Sequence, residues 1–173
     1  MSRRDLLLAP LFEAALLVIA AGIGWAVHKP LIFASLGPTA YELVETPERK
    51  SAQPYNIVVG HLVGVLGGFL ALWATDAWHT PPFSSGAIQG PRIWAVALAA
   101  AITVVVTLLI KATQPAALST TLLVALGSMQ SWQDGFYLMG GVLIMLICGE
   151  PVRLWRLRMK EKQKQAEEAW EKG

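Results

Sequence analysis

One cysteine, Cys148, in 173 residues rules out an intrachain disulfide framework and a thiolate metal cluster. Charge is scarce as well: 15% of the residues are charged, against about a quarter in soluble domains. With 54% hydrophobic residues, apolar runs over 6–27, 57–78, 93–110 and 136–147 with its flanks are too long for one soluble core. Each run is near the roughly 20 residues that cross hydrocarbon, so the chain reads as an integral membrane protein. The first run follows Ser2-Arg3-Arg4 but has no small-x-small stop and continues to Trp25, which marks a retained span rather than a secretory signal. Catalytic constellations are lacking too: there is no metal-ligand cluster, nucleophile elbow, nucleotide-binding glycine loop or catalytic dyad. No enzymatic activity, catalytic residue, metal, cofactor or nucleic-acid partner is therefore expected.

What is present is a pair of interruptions. Proline followed by small and hydroxyl residues breaks an apolar stretch at Ser35-Leu36-Gly37-Pro38-Thr39-Ala40, and again at Thr113-Gln114-Pro115-Ala116-Ala117-Leu118-Ser119-Thr120. In a membrane sequence, matched Gly/Pro-interrupted segments point to a midplane site formed by broken helices. Six segments result: long ones near 6–27, 54–78, 91–111 and 134–156, and short ones near 31–44 and 114–129. The expected fold is an all-α, polytopic membrane helical bundle with four long spans and two short Gly/Pro-interrupted helices. It forms one transmembrane domain over 1–156, with repeat halves of about 6–78 and 91–156, followed by a charged cytoplasmic tail over 157–173.

Charge placement bears on how many segments cross. A short segment stopping midway after 31–44 would leave Glu45, Glu48, Arg49 and Lys50 in the bilayer, at about 2.5–3.5 kcal/mol or more per charge. Lys and Arg concentrate on cytoplasmic loops. With six crossings and a cytoplasmic N-terminus, Arg3, Arg4, Arg49, Lys50, Lys111 and the cluster from Arg153 to Lys172 lie inside, and only Lys29 and Arg92 outside. Four crossings with two re-entrant loops move Lys29, Arg49, Lys50 and Lys111 outside and weaken that split. Both termini are cytoplasmic either way, and a bacterial inner membrane is the expected location. Pro38 matching Pro115, and Gly60 lying opposite Gly140, favour two repeats; three crossings per half make the repeat inverted.

Proline is favoured in the first turn of a helix, so Pro38 and Pro115 read as helix starts inside the membrane. Such a start offers unpaired N–H groups and about half a positive charge, which binds anions without a lysine. At Pro38 the donors are the amides of Thr39, Ala40 and Tyr41 with the Thr39 hydroxyl. At Pro115 they are the amides of Ala116, Ala117 and Leu118, with Gln114 as a cap and Ser119 and Thr120 one turn later. In an inverted repeat the two starts converge on one substrate site, taking in Gly37, Pro38, Thr39, Ala40, His61, Gln114, Pro115, Ala116, Ser119 and Thr120. The plainer alternative is two kinked, packed helices whose Ser and Thr side chains absorb freed carbonyls. His61, well inside its span, is either a proton acceptor, a neutral donor to an anion, or a histidine satisfied by a neighbouring carbonyl. Gln53 and Asn56 at the mouth of that span are caps or pathway residues.

Gly60, Gly64 and Gly68, with Gly67 beside them, form a flat face suited either to an intramolecular helix contact or to a dimer. Trp25, Trp73, Trp78, Trp94, Trp132 and Trp155 fall toward span ends, where amphipathic rings settle at the interface. Glu150 and Arg153 have the spacing of a helical pair. The basic turns after Pro151 either fix topology as a solvated tail or hold anionic lipid headgroups.

Gly37-Pro38-Thr39-Ala40, Ser51-Ala52-Gln53-Pro54-Tyr55-Asn56, Gly60-His61-Leu62 and the run from Gln114 to Leu123 resemble the HPP family of small integral membrane proteins, over roughly residues 10–155. Members are described as having four spans, and plant relatives are implicated in nitrite transport in plastids. The resemblance implies a transporter or channel for a small inorganic anion, nitrite first. The His-Pro-Pro that names the family corresponds here to Gln114-Pro115-Ala116, and glutamine donates a hydrogen bond but carries no proton. His79-Thr80-Pro81-Pro82 falls in a polar loop and reads as a decoy. Membrane lipid is an expected partner, and so few helices suggest a homo-oligomer. The alternative is a non-transporting scaffold or regulatory subunit.

Overall fold

Among the described residues, four helices are long and apolar enough to cross a membrane: α1 (Arg3–Ala26), α3 (Pro54–Ala74), α4 (Gly90–Leu109) and α6 (Trp132–Glu171). α6 continues unbroken through Pro151 into the charged segment. Between them lie two short helices, α2 (Leu36–Glu45) of 10 residues and α5 (Pro115–Ala125) of 11. At 1.5 Å per residue each reaches about 15 Å, half the hydrocarbon thickness. Single 3-10 turns sit at Lys50–Ala52 and Phe83–Ser85. The described residues thus form an all-helical bundle with the four long and two short elements the sequence predicts, except that α2 begins at Leu36 instead of near 31 and α6 runs on to Glu171 instead of ending near 156. This computed structural model describes residues 3–171, and side chains from 7 to 170. The charges assigned above to Arg3, Arg4 and Lys172 lie outside the described side chains.

The long helices stop sharply for a local reason. α1, α3 and α4 are followed by His28, Asp76 and Lys111 in the left-handed region (φ 53, 53 and 56°), and α5 by Gly127 (φ 81°). In each case the next amide reaches back five residues: Lys29 to Gly24, Ala77 to Leu72, Ala112 to Thr107 and Ser128 to Leu123, all at 2.9 Å. This cap satisfies carbonyls that the last turn of each helix leaves without an intrahelical partner. It also turns the chain back into the bundle ahead of α2 and α5.

Contacts fix the direction of every helix. Phe12 stacks on Trp155 with ring centroids 5.4 Å apart, so the start of α1 lies beside the charged end of α6; we term this end of the bundle the terminal face. α2 runs toward it, with Leu36 against Gly141, Leu43 against Gly149, and the Val44 carbonyl accepting from Arg156 Nε at 3.0 Å. α5 runs the opposite way, with Gln114 against Gly60, Val124 against Gly68, and the Ala125 carbonyl bonded to Arg92 at the far face. At that far face Phe69, Trp78 and Trp132 stack, with centroids 4.3 Å apart for Phe69–Trp132 and 5.4 Å for Phe69–Trp78. The first three helices therefore run toward the far, terminal and far faces, and the last three in the reverse senses.

The glycines on α3 are spent inside the chain. A Cβ at Gly60 would stand 2.6 Å from Gln114 Cβ, at Gly64 2.6 Å from the Ala117 carbonyl, and at Gly68 2.6 Å from Val124 Cβ, while Gly67 faces Thr103 of α4. Small residues let backbones approach this closely. Of the two uses expected for this face, the structure displays the intramolecular one.

The loop after α2 lies on the terminal face, tied to α6. Arg153 Nη1 donates to the Pro47 carbonyl at 3.0 Å, and Lys160 Nζ to the Glu45 carbonyl at 2.6 Å and to Glu48 at 3.1 Å. Arg153 also pairs with Glu150 at 2.6 Å, the helical pair its spacing predicts. Burial pushes the Glu48 carboxyl up, but its own backbone amide, Lys160 and Arg49 more than offset this and hold it below the usual glutamate value. The Glu48–Lys160 tie is thus present above about pH 4 and lost as pH falls through the folded-state value. Glu48 is 53% exposed, so the contribution expected is only about 0.2–1 kcal/mol. The stability gap between wild type and Glu48→Gln should narrow on acidification, as read by thermal unfolding in detergent.

Candidate functional site

His61 joins the two short helices. Its imidazole is fully buried, with Nε2 2.8 Å from the Thr39 hydroxyl of α2 and Nδ1 2.6 Å from the Thr120 hydroxyl of α5. A neutral ring has one N–H and one lone pair, so one threonine accepts and the other donates. Thr39 Oγ1 also lies 3.4 Å from the Ser35 carbonyl, which favours Thr39 as the acceptor from the ring. Both nitrogens are thereby engaged, and His61 presents no free N–H to a ligand. Nearby, Thr121 Oγ1 donates to the Ala117 carbonyl at 2.9 Å and contacts Thr103 Oγ1 at 2.8 Å, which carries the polar lining onto α4.

α5 starts as the sequence predicts. Pro115 occupies the first turn, and the Gln114 side chain caps it through Oε1, which accepts from the Ala116 amide at 3.4 Å. An amide donor must face the oxygen, so this bond fixes the orientation of the Gln114 carboxamide. Its Nε2 is the free end: a donor on a residue 4% exposed, without a hydrogen-bond partner among the described residues. The Ala117 amide is used by the Gln114 carbonyl at 3.0 Å.

α2 starts differently. The helix begins at Leu36, two residues before Pro38, after a turn in which the Leu36 and Gly37 amides bond the Phe33 and Ala34 carbonyls at 2.9 and 3.3 Å. Ala40 and Tyr41 stand four and five residues into the helix, where amides fold onto its own carbonyls. They are not the open donors expected of a helix starting at Pro38. Proline is tolerated this early because its missing N–H has no helical partner to lose.

Of the ten candidate residues, Thr39, Ala40, His61, Gln114, Ala116 and Thr120 are buried in the core. Pro38 and Pro115 face outward, while Gly37 and Ser119 are half-buried. The two short helices meet through Thr39 and Thr120 on either side of His61, not through their prolines. Gln53 caps nothing with its side chain, and Asn56 Nδ2 donates to the Lys50 carbonyl at 2.5 Å.

Two buried charged residues carry more than the sequence suggests. Arg92, assigned above to an outer loop, is 2% exposed; its guanidinium donates to the Pro81 carbonyl at 2.6 Å, to the Ala125 carbonyl at 3.0 Å and to the Thr80 carbonyl. It closes the end of α5, and the loop read as a decoy supplies two of its acceptors. Glu42, to which the sequence assigns no role, is 6% exposed, with Oε1 accepting from Ser51 Oγ at 2.8 Å. The signal for it lies in spacing: Ser35, Thr39, Glu42 and Thr46 recur at four, three and four residues. That places Thr39 and Glu42 on one face of α2, with Ser35 and Thr46 at its two caps.

A membrane bundle of four long and two half-length helices, joined at depth by a buried histidine, agrees with what the chain resembles by sequence. No curated protein and no solved structure matches it. Residues 1–156 match the family model of the HPP transmembrane region, and the chain belongs to the HPP family of membrane proteins.

Proposed function

We propose that the protein is a transporter or channel for a small inorganic anion, nitrite first, and that the anion is held at the start of α5, against α3. The observation that carries this reading is the free Nε2 of Gln114, a buried donor aligned by the α5 cap beside a helix N-terminus. The donor suits an oxyanion: it is neutral, so a monovalent ion is held without being trapped by a fixed cation. The Thr39–His61–Thr120 bridge supports the same reading, because it joins a half-helix from each half at depth, as in transporter sites. The reversed helix senses support an inverted repeat. Arg49, Lys50, Lys111 and the basic stretch of α6 support a cytoplasmic terminal face under the positive-inside rule. A bacterial inner membrane, lipid contacts and a homo-oligomer complete the proposal, and the exposed apolar residues of α4, such as Ile93, Trp94 and Leu109, suit lipid or a second copy.

The test is nitrite flux from loaded liposomes. Wild-type protein should release nitrite faster than empty liposomes. Gln114→Glu keeps the capping oxygen but replaces the free donor with an anionic oxygen. At a pH high enough to ionise the new carboxyl, repulsion of several kcal/mol between like charges should then reduce flux more than tenfold. Unchanged flux from Gln114→Glu would remove Gln114 from the pathway, and wild-type flux equal to empty liposomes would end the transport reading.

A further inference from the structure

Glu42 lies one turn inside the terminal face, on the same side of α2 as Thr39. Its Oε1 is satisfied by Ser51, while Oε2 is buried without a hydrogen-bond partner among the described residues. Other buried oxygens in that state belong to residues that flank Glu42 or hold the 3-10 turn that Ser51 belongs to. Asn56 Oδ1 belongs to a residue 5% exposed whose Nδ2 holds the Lys50 carbonyl, and Thr46 Oγ1 is one turn beyond Glu42. Glu42 Oε2 and Asn56 Oδ1 are acceptors without a donor, and the Thr46 hydroxyl can donate or accept, so a buried carboxylate oxygen stands here that a proton would satisfy. Protonated, the carboxyl is neutral and Oε2 turns from an acceptor without a donor into a donor.

Among the described side chains, the charged and histidine groups toward the terminal face on elements packed against α2 are Glu13 of α1, Lys50 of the turn, and Glu150, Arg153, Arg156, Arg158 and Lys160 of α6, with Glu45 on α2 itself and His61 of α3 deeper; α5 contributes none. Arg153 is engaged by Glu150 and the Pro47 carbonyl, and Arg156 by Glu45 at 3.6 Å and the Val44 carbonyl. One turn from Glu42, Thr39 bonds His61, whose other nitrogen bonds Thr120. A polar file therefore leads from the terminal face to the junction of the half-helices.

We propose that Glu42 is a proton-binding site, loaded from the terminal face, that couples anion movement to a proton. The step balances simply: an aqueous proton adds to Oε2, converting carboxylate to carboxylic acid, and leaves again with the anion. Coupling rests on the transport reading above, whereas proton binding does not.

Infrared difference spectroscopy of the reconstituted full chain tests binding directly. Raising the pH should bleach a carbonyl-stretch band of a protonated carboxylic acid that is absent from Glu42→Gln and retained, shifted, in Glu42→Asp. The same bands in wild type and Glu42→Gln would overturn the proposal. Glu42→Gln is isosteric and keeps an acceptor for Ser51, so folding should survive; Glu42→Asp provides a charged control. In liposomes, wild-type and Glu42→Asp nitrite flux should rise several-fold with a proton gradient directed along the anion's path, and Glu42→Gln flux should not respond. A gradient response retained by Glu42→Gln would overturn the coupling. Absence of any wild-type flux would overturn the coupling together with the transport reading and leave the infrared result to decide proton binding.

Discussion

Gly141→Ala should destabilise the protein more than any other single methyl addition to its helices. A Cβ at Gly141 would fall onto the Leu31 carbonyl oxygen, far inside contact distance, and would also crowd Leu36 Cδ1 at 3.1 Å. The obstacle is backbone, so no rotamer change relieves it, and the segment that enters the bundle ahead of α2 has to move off α6. In an exposed helix the same change gains about 1 kcal/mol, since alanine is the better helix former. Overpacking costs about 1–3 kcal/mol and occasionally more, so packing decides the sign. Gly22→Ala and Gly37→Ala are the controls, because a Cβ at either meets nothing within 4 Å. Thermal unfolding in detergent should show a clear loss for Gly141→Ala and little change or a gain for the controls. Equal behaviour of the three would mean that Leu31 does not pack against α6.

His61→Leu should have the second largest effect, and its remedy should be specific. The leucine fills much of the space but leaves the Thr39 and Thr120 hydroxyls without their shared partner. Hydrogen bonds between membrane helices contribute about 0.6–2 kcal/mol each, so losing both, with imperfect filling, should cost about 2–4 kcal/mol. The threonines can turn back to carbonyls of their own helices, which keeps the figure from being larger. Adding Thr39→Val and Thr120→Val should recover part of the loss, because removing both partners is cheaper than stranding one. Stability that falls further in the triple variant would contradict the bridge.

Much of this architecture is legible in the sequence because a bilayer imposes strong local constraints. The four long helices follow from apolar length alone. The Gly60, Gly64 and Gly68 stripe announces a close helix contact, and Gln114-Pro115 announces a helix start. What is not legible depends on contacts far along the chain. Pro38 resembles Pro115 as a local motif, yet α2 starts two residues earlier because Phe33 and Ala34 supply carbonyls to a preceding turn. Glu42 sits just ahead of the charged run 45–50, and its burial follows from elements that pack against α2 from elsewhere in the chain, the turn holding Ser51 among them. Arg92 reads as a loop charge until three carbonyls from two separate segments converge on it. The partners of His61 lie 22 and 59 residues away, beyond any periodicity.

The junction also explains why the site is built from hydroxyls and an amide instead of charges. Thr39, Thr120, Thr121 and Thr103 are buried with their hydrogen bonds closed within the bundle. A half-helix start needs such closure where no water reaches it. Gln114 is the member left with a free donor.

The most direct measurement is therefore of that donor. In protein labelled with ¹⁵N at glutamine side chains, the Gln114 amide pair is assigned by its disappearance in Gln114→Glu. Titration with nitrite should shift that pair in a saturable manner while the exposed Gln165 pair stays still. A Gln114 signal that moves no more than that of Gln165 would contradict an anion site at the start of α5.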